Sequence, residues 1–151
     1  MPAERLRRYL DEKHVKYVTL KHSKAYNANE VADSVHLPAK ELAKTVMVTI
    51  DGEMAMVVVP ASAQADLEHL KKAVGASKVA LAHEWEFKEK FPDCEVGAMP
   101  PFGNLYDMKV FVSQALREDE EIAFNAGSHT ELFRLAYADF ERLVEPILVP
   151  A

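Results

Sequence analysis

The sequence has 151 residues, is 49 % hydrophobic, holds a single cysteine, and carries a formal net charge of −6. That is about the length of one domain, with enough apolar material for a real core, and no apolar run is long enough to span a bilayer. Cys94 alone excludes an internal disulfide and argues against a thiolate metal site.

The first residues, MPAERLRRYLDEK, lack the apolar stretch of a signal peptide. A cytoplasmic protein of one domain, 1–151, is therefore expected, a monomer by default, with no cofactor, no membrane contact and no DNA partner. Charge is unevenly spread. Residues 1–44 hold nine Lys/Arg against six Asp/Glu, whereas residues 45–151 hold nine against eighteen. Such polarity suits a basic face meeting a polyanion, yet the chain is not basic overall as a general nucleic-acid binder would be. Ordinary scattered surface charge is the simpler account of the count.

In chain order, residues 2–13 place Leu6, Tyr9, Leu10 and Lys13 on one face of a helix. VKYVTL, 15–20, follows as a strand. NANEVADSVHL, 27–37, opens with helix chemistry: Asn27 can cap, Glu30 lies three residues on, and Tyr26 can staple onto Val31. TVMVTIDGEMAMVVVP, 45–60, is two β-rich runs around Asp51-Gly52, the dipeptide favoured in two-residue hairpins. Residues 63–74 predict a helix stopped by Gly75, followed by a strand near 78–81 and a helix over 83–91 that Pro92 ends. KVFVS (109–113) and EIAFNAG (121–127) predict strands, then a strand over 130–136 and a helix over 138–144. The class is α+β with a mixed sheet.

Familiar catalytic motifs are absent: no phosphate-binding Gly-rich loop, no nucleophile elbow and no HExxH. The six histidines are never spaced i, i+4, so a local metal site is not expected. Cys94 has no cation beside it in sequence and predicts an inert thiol.

Three segments remain. Lys44 stands at the mouth of an apolar strand, either a snorkelling surface lysine or a functional cation. VGAMPPFGN, 96–104, concentrates two glycines and two prolines in nine residues, either a stiff connector or a preformed wall built of backbone. FNAGSH, 124–129, is either a simple strand-to-turn transition or part of a site.

In order and spacing these segments resemble the YbaK/ProX family, free-standing relatives of the editing domain of bacterial prolyl-tRNA synthetases. The matching residues are Lys44 and Thr45 in AKTVMV, Gly97 through Gly103 in GAMPPFG, and Asn125, Gly127 and Ser128 in NAGSH; the likeness extends from about His22 to Val144. The resemblance implies a mixed, barrel-like β-sheet flanked by helices, with a cleft at the sheet's edge. It also implies a trans-editing hydrolase that cleaves the ester of a mischarged aminoacyl-tRNA, with Ala or Cys on tRNA-Pro as the expected substrate.

An aminoacyl ester is already reactive, so such an enzyme needs a positioned water and oxyanion stabilisation rather than a covalent nucleophile. Rigid backbone N–H groups supply the latter without reorganisation. Gly97, Ala98 and Met99 are the expected donors, with Lys44 as the fixed charge that binds the terminal adenosine; Pro100 and Pro101 hold the loop. Lys44 is not cast as a base, because a phosphate neighbour favours its charged form. Tyr26, Met47 and Phe102 are expected pocket walls beside Thr45 and Gly103, while Asn125, Gly127, Ser128 and His129 complete the substrate-binding set. His129 is the one protein base on offer, and an exposed turn histidine is the alternative. Arg5, Arg7 and Arg8 supply a modest basic footprint. Partners are then the acceptor end of an aminoacyl-tRNA and a synthetase; the alternative function is a non-catalytic module that binds either.

Overall fold

The computed structural model describes residues 4–21, 37–92, 94–95 and 98–150. The predicted helix over 27–37 and Tyr26 lie outside the described residues, apart from Leu37, and so does Gly97.

Helix α1 (Glu4–Glu12) buries Leu6 and Leu10, as its 3.6-residue spacing requires. Strand β1 (Tyr17–Lys21) follows. Strands β2 (Leu42–Ile50) and β3 (Glu53–Pro60) form the predicted hairpin. Both turn residues take positive φ, 50° at Asp51 and 87° at Gly52, the requirement of a primed two-residue turn. The Asp51 carboxylate also accepts from the N–H groups of Ser77 and Lys78, which fixes the turn to the next connection.

Helix α2 (Leu67–Val74) is bounded by chemistry at both ends. The Asp66 carboxylate accepts from His69 N–H at 3.0 Å, and Gly75 at φ 68° returns its N–H to Lys71 and Lys72 carbonyls. It starts four residues later than the sequence suggests. Strand β4 (Val79–Leu81) leads to a single-turn helix α3 (Glu84–Phe87), which tightens into a 3-10 turn over Lys88–Lys90 instead of continuing as one helix to Phe91. Then come β5 (Lys109–Ser113), α4 (Gln114–Arg117), β6 (Glu121–Asn125), β7 (Glu131–Ala136), α5 (Tyr137–Val144) and β8 (Ile147–Val149). The sequence reading had not anticipated α4 or β8.

The sheet is mixed, in the order β1-β7-β6-β2-β3-β5-β8, with β4 branching from β2. β3 occupies one edge of β2 along nearly its whole length. The other edge is shared: β6 pairs in parallel with Leu42 and Ala43, and β4 pairs antiparallel from Val48 onward. The residues between, Lys44 to Met47, lie where these two ladders part. Met47 O accepts from Ala82 N–H at 2.9 Å as β4 arrives.

Burial separates the two faces of β2. Ala43 and Met47 belong to the main core with Val58, Phe102, Phe124 and Phe133. Val46 and Val48 pack with Val57, Val59 and Leu70 of α2 on the other face. A third group on that same face joins Leu42, Ala61, Ala123 and Leu132. Among the described residues no helix is long and apolar enough to cross a membrane.

Candidate active site

Lys44 lies between the second and third apolar groups. Alternation along the strand puts it on the face of Leu42 and Val46. Leu42 stands opposite Ala123 and Ala43 opposite Phe124, where the pairing ends, and the same register carried one residue further aligns Lys44 with Asn125. Lys44 also pairs with Val59 across β3, and Asn125 with Leu132 across β7. One row across the sheet therefore reads Val59, Lys44, Asn125, Leu132. Both flanking side chains are fully buried, and the two middle ones are polar. Alternation puts both residues on one face of the sheet, at the point where the two strands part.

Lys44 is half-buried. Among the described residues its side chain takes part in no ion pair and no hydrogen bond. A half-buried charge of this kind is costly unless an opposite charge comes near it.

The proline-rich loop reaches the same end of β6. Gly127 N–H donates to Ala98 O at 2.9 Å, and Glu95 N–H donates to Gly127 O at 2.7 Å. This clasp joins two of the three segments that the sequence singles out. Gly127 adopts φ 95°, a conformation open to glycine and strained for any side chain. Glu95 escaped the sequence reading because it acts through its backbone, which leaves no side-chain signal.

The rest of the loop is held rigid from inside. Pro100 and Pro101 are buried, and having no N–H they leave no donor unsatisfied there. Phe102 is fully buried among Tyr9, Phe124 and Phe140, with ring centroids at 6.3, 5.5 and 5.7 Å. Gly103 is a packing glycine: a Cβ there would lie 2.6 Å from Val110 Cγ2 and 2.7 Å from Met108 O.

The other predicted residues divide. Met99 is buried in the main core, as are Met47 and Phe102, and Met47 points to the face opposite Lys44. These side chains support the loop and strand from behind. Thr45 is half-buried at the parting of the ladders. Ser128 is 8 % exposed, and its hydroxyl lies 3.3 Å from Thr130 Oγ1, a local turn bond of the kind expected for such a sequence. His129 is half-buried in the same turn. The Ala98 N–H already donates to Glu95 O at 3.0 Å, so it is engaged within the loop.

A cleft of about 600 Å³ bounded by described residues contains none of these groups. Its lining includes Ile50, Met54, Tyr106 and Lys109, at the hairpin end of the sheet. From Lys44 to Ile50 along β2 is roughly 20 Å at the usual rise per residue. Among the described residues no three metal-ligating side chains cluster.

The model of the aminoacyl-tRNA editing domain matches residues 22–143. The chain belongs to that family. The match contains Lys44, the loop and the NAGSH turn, so the row and the clasp lie within the matched domain. A multifunctional Ser/Thr-tRNA deacylase, ProXp-y of Escherichia coli (strain K12), is 36 % identical over 95 residues, which is 62 % of this chain and 56 % of the deacylase. The chain thus spans little more than half the length of that relative. The proline–tRNA ligase of Bacillus mycoides (strain KBAB4) is 29 % identical over 87 residues, 58 % of this chain and 15 % of the ligase. A solved structure described as that of a candidate trans-editing enzyme for prolyl tRNA synthetase superposes with a TM-score of 0.84 at 21 % identity, covering 99 % of this chain and 95 % of the other. At that identity the likeness establishes the shared fold.

Proposed function

We propose that this editing domain is a deacylase acting in trans, which hydrolyses the ester between a small amino acid and the 3′-terminal ribose of a tRNA. The observation that carries the reading is the half-buried Lys44 cation, unpaired among the described residues and on the sheet face of Asn125, at the end of the strand that clasps the proline-rich loop. Lys44 binds the terminal nucleotide through its phosphate or ribose region and orients the ester. The loop, fixed by Phe102 and Gly103, presents backbone N–H groups to the carbonyl. With Ala98 engaged, those of Gly97 and Met99 are the donors in this reading. Water attacks the ester carbon, the bond to the ribose oxygen breaks, the ribose regains its hydroxyl, and the amino acid leaves as its carboxylate.

No serine or cysteine is needed as nucleophile. His129 and the tRNA's own ribose hydroxyl are the two candidates for activating the water. The substrate is a small aminoacyl group, Ala or Cys on tRNA-Pro by the family resemblance. Ser and Thr enter by likeness to the deacylase of Escherichia coli. A pocket separates such groups by only about 1–3 kcal/mol per methylene, so overlapping specificity is expected.

The test is release of amino acid from Ala-, Cys-, Ser-, Thr- and Pro-charged tRNAs, with and without Lys44→Ala. Hydrolysis of at least one small aminoacyl-tRNA, lost in the variant, is the expected result. Saturable binding of charged tRNA with no hydrolysis across the panel would make the protein a non-catalytic acceptor-end module instead.

A further inference from the structure

Among the described residues three buried side-chain atoms have no hydrogen-bond partner: Asp119 Oδ2, Asn125 Oδ1 and Tyr137 OH. Only Asn125 belongs to the sheet face that carries Lys44. Leaving a buried amide oxygen unbonded costs stability, and natural cores rarely tolerate it without a use. Asn125 as a whole is only half-buried, so part of this residue remains open to a ligand. Among the described residues nothing hydrogen-bonds its carboxamide, and a half-turn about its last torsion exchanges the oxygen and NH₂ ends without breaking a bond.

The charge on the same face of the sheet decides which end serves. Beside the Lys44 ammonium, a ligand's own ammonium would be repelled and a developing negative charge attracted. An NH₂ donor and a cation on one face of the sheet both favour an oxyanion. The loop also needs the help, because the Ala98 N–H is taken by Glu95.

We propose that Asn125 is a catalytic residue whose side-chain N–H donates to the ester carbonyl oxygen as negative charge builds on it during water attack. This rests on the deacylase reading above. The step adds no reactant: the donor bond tightens as the carbonyl becomes tetrahedral and relaxes when the ribose oxygen leaves.

The experiment uses the full chain with Asn125→Ala and Asn125→Leu, the latter of similar size and uncharged but without the donor. Deacylation kinetics on the small aminoacyl-tRNA that the wild type hydrolyses are read beside thermal melting. Binding is measured for two probes, a phosphonate analogue of alanyl-adenosine, which mimics the tetrahedral state, and its amide-linked ground-state counterpart. Both variants should lose kcat by about 10²–10³-fold with little change in KM. Phosphonate affinity should fall while amide-analogue affinity holds, and Tm should stay level or rise because no native hydrogen bond is removed. Wild-type rates in Asn125→Leu, a raised KM at unchanged kcat, or equal loss of both probes overturns the assignment while leaving the deacylase reading intact. A wild type that hydrolyses no aminoacyl-tRNA and binds neither probe overturns both.

Discussion

Gly127 and Ala98 meet through a backbone hydrogen bond of 2.9 Å, and the Gly127 carbonyl takes a second bond from Glu95. The end of β6 therefore sets the height of the proline-rich loop. Gly127→Ala keeps both backbone groups but forces a side chain into φ 95°. Strain of about 1–3 kcal/mol is expected, which lowers Tm by roughly 2–4 °C per kcal/mol in a chain of this size. Because the strain falls on the clasp, kcat should drop by at least about tenfold in the molecules that remain folded. Melting curves and single-turnover deacylation separate the two effects.

Lys44→Ala gives the opposite signature. No described residue relies on the ammonium, so its removal breaks no pair and relieves the cost of a half-buried charge. Tm should hold or rise while deacylation falls by one to three orders of magnitude, roughly the worth of a positioned charge at a reacting centre. Lys44→Met, which keeps the aliphatic stem, should behave alike. A variant that unfolds early would make the lysine a structural residue.

Gly103→Ala separates the stiffness of the loop from its chemistry. Its Cβ would meet Val110 Cγ2 and the Met108 carbonyl at 2.6 and 2.7 Å, and the carbonyl is backbone with little room to give. Overpacking of this kind costs about 1–3 kcal/mol. Chemical denaturation should show that loss with an unchanged m-value.

Local chemistry made much of the fold legible. Asp51-Gly52 announced a primed turn and Gly75 a helix stop, because each satisfies a requirement of the backbone within a few residues. α4 and β8 were not legible: one is a single turn, QALR, and the other is three residues that become a strand only by pairing with β5. The residue types of the site were visible too, since Lys44 and Asn125 stand out in apolar strands. Their alignment on one face was not. It depends on a parallel pairing of β2 with β6, whose partners lie far apart in sequence and which leaves no periodic trace in either strand. For the same reason Met47, three residues from Lys44, lies on the other face.

The basic N-terminal helix is less available to tRNA than its composition suggests. Arg7 is ion-paired with Glu131 of β7 and lies over the Phe133 ring at 4.9 Å, while Arg5 lies over Tyr106 at 4.8 Å. Arg8 is exposed and makes no ion pair among the described residues. Arg7→Ala should therefore cost about 1 kcal/mol of stability and leave the salt dependence of tRNA binding unchanged. Arg8→Ala should leave Tm alone and reduce the salt slope by about one if it meets a phosphate. Binding titrations across a range of salt concentrations, beside melting curves, check both.

Asp119 provides the pH test. Burial raises its pKa above the ordinary 3.8, the nearby Glu41 and Glu118 push it the same way, and Lys40 partly opposes them. Its Oδ2 is buried without a partner. A carboxyl whose folded pKa is raised holds its proton more tightly in the native state than in the unfolded chain. Stability is then greatest below the unfolded value, falls as pH rises from there through the folded pKa, and stays lower above it. Asp119→Asn keeps the shape and removes the charge, so it should raise Tm at neutral pH. The advantage over wild type should shrink as pH is lowered through the folded pKa and vanish below 3.8, where both states of the wild type are protonated. Melting the two proteins across that range gives the sign directly, and an advantage that grew on acidification would mean the native carboxylate is stabilised instead.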